Sequence, residues 1–143
     1  MIDKVLLTPL DIIETANGDV LHAMKKNDCG FSGYGESYFS EIKTQEIKAW
    51  KRHKYMTLNL IVPIGSIRFV LFDDRISKLG KFWQVTLSRD NYKRLTIPPM
   101  IWLGFQGVSN SNSMLLNISN IEHDPDESDK KNIEEIEFNW EGV

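Results

Sequence analysis

The chain has 143 residues, 41% of them hydrophobic and 26% charged, enough length to bury one core and too little for two, so a single domain over residues 1–143 is expected. Its 17 Lys and Arg against 20 Asp and Glu give a net charge of −3, which leaves no cationic excess for a general nucleic-acid binder. A lone cysteine, Cys29, excludes an internal disulfide and a Cys-rich zinc site. Apolar runs such as Leu58 to Pro63 fall far short of a membrane span, and Asp3, Lys4 and Asp11 interrupt any leader-like apolar stretch. The expectation is a soluble protein of the reducing cytoplasm with neither membrane nor nucleic acid as partner.

Short apolar or alternating segments separated by Gly, Pro, Asn and Asp predict strands over Val5–Leu7, Asp19–Met24, Gly35–Ile42, Ile47–Trp50, Tyr55–Pro63, Ser66–Asp73, Phe82–Leu87, Tyr92–Ile97, Ile101–Gln106 and Ser113–Ile121. So many short strands imply an all-β sandwich or barrel. Pro63-Ile64-Gly65-Ser66 reads as a tight hairpin, and Val108 to Ser113 as a polar loop. Near the C-terminus, Asp126 or Ser128 is placed to cap a short helix before Ile133 to Trp140.

Parity along the middle of the chain is informative, because alternate residues of a strand face opposite sides. From Lys51 onward the odd positions read Lys51, His53, Tyr55, Thr57, Asn59, while the even positions from 56 read Met56, Leu58, Leu60, Val62. The polar face is either wet or the lining of a barrel mouth, and Tyr, Thr and Asn suit the second as well as the first. Asn117, alternating with apolar neighbours in a later segment, is a candidate for the same cavity. Arg68, which shares parity with Val70 and Phe72, is either a charged edge residue or a diphosphate clamp. Trp102 belongs to the barrel wall with an option on substrate contact.

The run Ile47-Lys48-Ala49-Trp50-Lys51-Arg52-His53-Lys54, followed by Gly65, Asp73-Asp74-Arg75, Leu87-Ser88-Arg89-Asp90-Asn91 and Ile97-Pro98-Pro99, resembles the motif order of the dTDP-4-dehydrorhamnose 3,5-epimerase family. The likeness covers roughly Asn17 to Trp140. It implies a cupin-type jelly-roll barrel, here with a short C-terminal helical segment. It also implies a nucleotide-linked sugar, with dTDP the expected nucleotide, as substrate, and a homodimer with exchanged N-terminal strands. In that family a proton beside the C4 ketone is removed and one is returned to the opposite face, which needs a base, an acid and an enolate stabiliser.

The chain departs from the family pattern at several of these positions. Lys51 stands where the family has its catalytic His, Asn117 where its Tyr acid is expected, Leu103 at another His position, and Leu58 near a cationic one. Asp73 keeps an acidic position and Lys48 a positive one, and His53 lies two residues past the expected base on the same strand face. The resulting assignment gives catalysis to His53 as the titrating group, Lys51 as the electrophile and Asp73. Substrate binding goes to Lys48, Tyr55, Thr57, Asn59, Arg68, Trp102 and Asn117. Metal-dependent relatives use H-x-H, but Lys51 cannot ligate a metal, so no metal or other cofactor is expected. The activity implied is epimerisation, possible at C3 alone. The alternatives are 3,4-ketoisomerisation, or sugar-nucleotide binding without catalysis.

Overall fold

The computed structural model describes residues 1–142. Its strands are β1 (Leu6–Pro9), β2 (Ile12–Ile13), β3 (Val20–Leu21), β4 (Glu36–Ile42), β5 (Ile47–His53), β6 (Leu58–Ile64), β7 (Ser66–Asp73), β8 (Lys81–Ser88), β9 (Lys93–Ile97), β10 (Trp102–Gly107), β11 (Ser113–Ser119) and β12 (Ser128–Lys130). Two five-stranded antiparallel sheets face each other, in the orders β1-β9-β6-β11-β4 and β12-β5-β10-β7-β8, with β2 and β3 as a separate pair. From β4 to β7 and again from β9 to β12 the chain passes back and forth between the sheets, the winding of a jelly roll.

Inward residues alternate as the sequence patterns require. Leu58, Leu60 and Val62 of β6, Ile67, Phe69 and Leu71 of β7, and Leu95 and Ile97 of β9 meet in the core between the sheets. The turn at Gly65 has positive φ, as glycine permits, but it is not a hairpin. It carries the chain from β6 in one sheet to β7 in the other.

Both outer faces are covered over their central strands as well, while the outward residues of β4 and β8 stay exposed. Over the first sheet lies the segment 22–33, held by Arg94, which is fully buried and donates to the carbonyls of Ala23 and Cys29. Over the second lies the C-terminal segment, where Ile136, Phe138 and Trp140 pack on Trp50, Val70 and Trp102. The expected C-terminal helix is two single turns of 3-10 helix, Pro125–Glu127 and Ile133–Glu135, started by Asp124 and Asn132 rather than by Asp126 or Ser128. The strand β12 separates them, because residues 128–130 extend the second sheet alongside β5. Among the described residues no helix is long and apolar enough to cross a membrane.

Candidate active site

A cavity of about 370 Å³ opens at one end of the space between the sheets. Its floor and walls are apolar, with Leu58 and Leu60 from β6, Leu103 and Phe105 from β10, and Leu115 from β11. Its polar groups come from Lys48, Lys51 and His53 on β5, Lys130 on β12, Tyr38 and Ser40 on β4, and Asn117 on β11.

Strand β5 supplies three of these through a local irregularity. In its pairing with β10, Phe105 opposes Lys48 and Leu103 opposes Lys51, and the register shifts between Leu103 and Gly104. One extra residue is therefore accommodated at Ala49-Trp50, a β-bulge. Simple alternation would send Lys48 and Lys51 to opposite faces; the bulge turns both toward the cavity. Ala49 and Trp50 pack on the outside, where Gly104 leaves room for the Trp140 ring.

His53 ends β5 and is mostly buried, and its Nδ1 lies 2.6 Å from Glu127 Oε1. A carboxylate only accepts, so Nδ1 carries the proton and Nε2 keeps a lone pair. The other Glu127 oxygen accepts from the backbone amides of Tyr55 at 3.0 Å and Met56 at 2.9 Å. Glu127 is only 4% exposed. Burial works to raise its pKa, but the hydrogen bonds from His53 and the two amides outweigh it and hold the carboxyl below its usual range. Burial likewise dominates at His53 and, although Glu127 opposes it, keeps the imidazole below its ordinary value. The pair is thus a neutral imidazole on an ionised, anchored carboxylate.

Across the cavity, Asn117 lies in register with Tyr38 on the adjacent strand and donates from Nδ2 to the Tyr38 hydroxyl at 3.0 Å. The hydroxyl proton of Tyr38 remains available to donate, and Asn117 Oδ1 is buried with no partner among the described residues. Burial raises the Tyr38 pKa, helped by Glu36, so the phenol stays protonated. Lys48 donates to the carbonyl of Glu41 at 2.9 Å.

Of the residues singled out from sequence, His53, Lys51, Lys48 and Asn117 line this cavity. The others do not. Tyr55 is 72% exposed, and Thr57 sits in the connection between the sheets, its amide donating to Asn120. Asn59 is on the outer face of β6, where it accepts from Thr96 at 2.6 Å and donates to the Gly30 carbonyl. The parity argument failed here because His53 and Leu58 belong to strands of different sheets, so alternation does not run through the join. Asp73 is bound by the Arg75 side chain, at 2.9 and 3.0 Å, outside the cavity. Arg68 points to the outer face and is buried under the C-terminal segment, donating to Gln106 Oε1 at 2.8 Å and to the carbonyls of Trp140 and Gly142. Trp102 is buried on the same outer face with the Arg52 guanidinium 4.6 Å from its ring centroid. Among the described residues no three His, Cys, Asp or Glu side chains gather as a metal ligand set.

Sequence reasoning missed Glu127, Lys130 and Tyr38. Glu127 lies in an acidic run with Asp124, Asp126 and Asp129, which reads as a solvated stretch, and 74 residues separate it from its histidine.

No protein-family model matches the chain. A dTDP sugar isomerase of known structure from Desulfovibrio desulfuricans G20 is 38% identical, with a TM-score of 0.93, over 99% of this chain and 93% of that one. The chain belongs to the dTDP-4-dehydrorhamnose 3,5-epimerase and sugar isomerase family. Within that family the fold is shared more widely than the sequence. A sugar 3,4-ketoisomerase from Thermoanaerobacterium thermosaccharolyticum, solved with TDP, is 19% identical at a TM-score of 0.76, over 92% of this chain and 90% of that one. A dTDP-6-deoxy-D-glucose-3,5-epimerase from Legionella pneumophila, solved with dTDP-4-keto-L-rhamnose, is 15% identical at a TM-score of 0.80, over 93% and 75%. Among curated proteins, a probable low-salt glycan biosynthesis epimerase from Haloferax volcanii is 26% identical over 100 residues, 68% of this chain and 64% of that protein. The chain thus spans under two thirds of that curated relative.

Proposed function

We propose that this family member is an epimerase or isomerase acting on a nucleotide-linked 4-keto-6-deoxy sugar, with dTDP as the nucleotide. The observation that carries the reading is the His53–Glu127 pair opening into an apolar cavity edged by three lysines. Glu127 fixes the tautomer that leaves Nε2 of His53 as the base for the proton on C3, beside the ketone. Lys51 is the group that acts at the ketone, while Lys48 and Lys130 supply positive charge for the anionic nucleotide and for negative charge that develops in the reaction. The Tyr38 hydroxyl, oriented by Asn117, is the acid on the other wall. Tyr38 on β4 thereby takes the role that the family resemblance gives to a tyrosine at the position of Asn117. Asp73, Arg68 and Trp102 have no part in this scheme.

The test is proton NMR with TDP-4-keto-6-deoxyglucose in deuterated water. The wild-type protein is expected to exchange the C3 proton, and His53→Ala to lose that exchange by about 10²–10⁴-fold with nucleotide binding retained within a few fold. Exchange at C3 and C5 together identifies a full 3,5-epimerase, and transfer of the ketone to C3 identifies a ketoisomerase. Nucleotide binding with no exchange overturns catalysis in favour of a binding barrel.

We also infer a homodimer in the cytoplasm. Phe39 on the edge strand β4 is 64% exposed and Tyr34 just before it equally so, an apolar edge suited to a second copy of the chain. Sedimentation equilibrium at twice the monomer mass is the expected result.

A further inference from the structure

The least ordinary group in the cavity is Lys51. It stands on the inward face of β5 two residues before His53, and its direct partner in the β5–β12 ladder is Lys130, which lines the same cavity. Residues directly opposed in an antiparallel pair hold their Cβ atoms about 5 Å apart. The two lysines therefore leave the strands side by side, Lys51 half-buried and Lys130 at the exposed rim of the cavity, and among the described residues no carboxylate forms an ion pair with either. Burial first, and the Lys130 charge second, lower the Lys51 pKa, and the Glu127 carboxylate offsets this only in part. A desolvated lysine beside a second cation is the arrangement that makes an amine a nucleophile toward carbonyl carbon.

We propose that Lys51 is a covalent catalyst, forming an imine with the ketone carbon of the keto-sugar. This rests on the reading of the cavity as a keto-sugar site. The Nζ lone pair of the neutral amine adds to C4, the ketone oxygen takes one proton from that nitrogen and one from solvent and leaves as water, and a protonated imine replaces the ketone. His53 then takes the C3 proton. The C–H electron pair becomes the C3–C4 double bond of an enamine, and the nitrogen becomes neutral. The Tyr38 hydroxyl delivers a proton to C3 from the opposite wall, water adds to C4, and the amine departs, restoring the ketone. His53 and Tyr38 re-equilibrate their protons with solvent, and no oxidant or reductant is consumed.

The covalent route restricts the product. Protonation of the enamine at C4 instead of C3 would move the ketone to C3 while leaving the lysine attached to C4 as a stable secondary amine. Turnover through the imine thus keeps the ketone at C4 and yields C3 epimerisation rather than ketoisomerisation.

The experiment incubates the protein with TDP-4-keto-6-deoxyglucose and sodium cyanoborohydride and maps any adduct by peptide mass spectrometry, with C3 deuterium exchange measured in parallel without the reductant. The expected result is a reduced sugar-nucleotide adduct on the Lys51 peptide. Lys51→Arg, which keeps the charge and is checked for folding by TDP binding, should lose both the adduct and C3 exchange. Lys130→Met should slow trapping at neutral pH, by about tenfold for each pKa unit that Lys51 regains. C3 exchange with no adduct, or exchange kept within a few fold by Lys51→Arg, overturns the imine and leaves the keto-sugar reading intact. An adduct on Lys48 or Lys130 also overturns the assignment. An adduct on Lys51 without exchange sustains the imine and overturns the proton-transfer chemistry, and the absence of both overturns the two together.

Discussion

At the scale of single residues, the site turns on a histidine whose environment pulls in two directions. Burial favours the neutral imidazole and Glu127 favours the imidazolium, with burial prevailing. The base form is the neutral one, so His53 should contribute a rising limb whose apparent pKa lies below the ordinary histidine value of about 6.5, with a second rise at higher pH as Lys51 becomes the free amine. Glu127→Gln removes the charge that opposes burial, so the limb should move to still lower pH. The rate at its plateau should fall as well, because the Nδ1 tautomer is less firmly held. A pH–rate profile of C3 exchange for the two proteins checks both effects, and a limb that moves upward contradicts them. His53 and Lys51 were legible in the sequence because they are unusual residues on one strand face. Glu127 was not, because what sets it apart is burial and two backbone amides brought from the far side of the fold.

At the scale of elements, ten of the twelve strands were readable to within a few residues, while β2, β12 and the grouping into sheets were not. The stretch from Lys51 to Val62 alternates so regularly that it reads as one face, yet it spans the end of β5, a connection and the start of β6, in two sheets. Alternation is a property of one continuous strand, and nothing local marks where the chain changes sheet. The same holds at Gly65, where a turn-forming glycine is visible but the sheet crossing is not. At φ +81 an added methyl group would be strained and would also meet Ser113, which bonds the Ser66 amide at 3.0 Å. Gly65→Ala should therefore cost about 1–3 kcal/mol in denaturant unfolding. The cavity lies away from this turn, so the loss should appear in stability with C3 exchange kept under native conditions.

At the scale of the whole molecule, the unexpected feature is that the central strands of each sheet are covered on both faces. Sequence parity anticipates one apolar face per strand, so Arg68 reads as a charged edge residue or a diphosphate clamp, and Arg94 is not singled out. Each instead sits beneath a covering segment and holds its carbonyls. The C-terminal cover depends on Trp140, whose ring lies 5.5 Å from that of Trp50 and packs over Gly104. Trp140→Ala should cost about 3–5 kcal/mol, read as a fall in melting temperature. Because β12 leads directly into this segment, loosening it should also weaken the hold on Glu127 and Lys130, and C3 exchange should fall together with stability. Exchange unchanged in a strongly destabilised variant would show that the cover and the cavity are independent.

The bulge in β5 makes the chemistry of this barrel a matter of counting. Straightening the bulge with every residue kept would impose plain alternation through Ala49-Trp50, and one side of the break would then have to invert. Either Lys48 would leave the cavity, or Lys51 and His53 would turn outward while Trp50 and Arg52 turned in. A single-codon deletion there would instead keep Lys48, Lys51 and His53 facing the cavity and take its loss from the outer packing that Ala49 and Trp50 share with Trp140. When relatives of this chain are aligned, the position of that one residue thus bears on function as much as the identity of its neighbours.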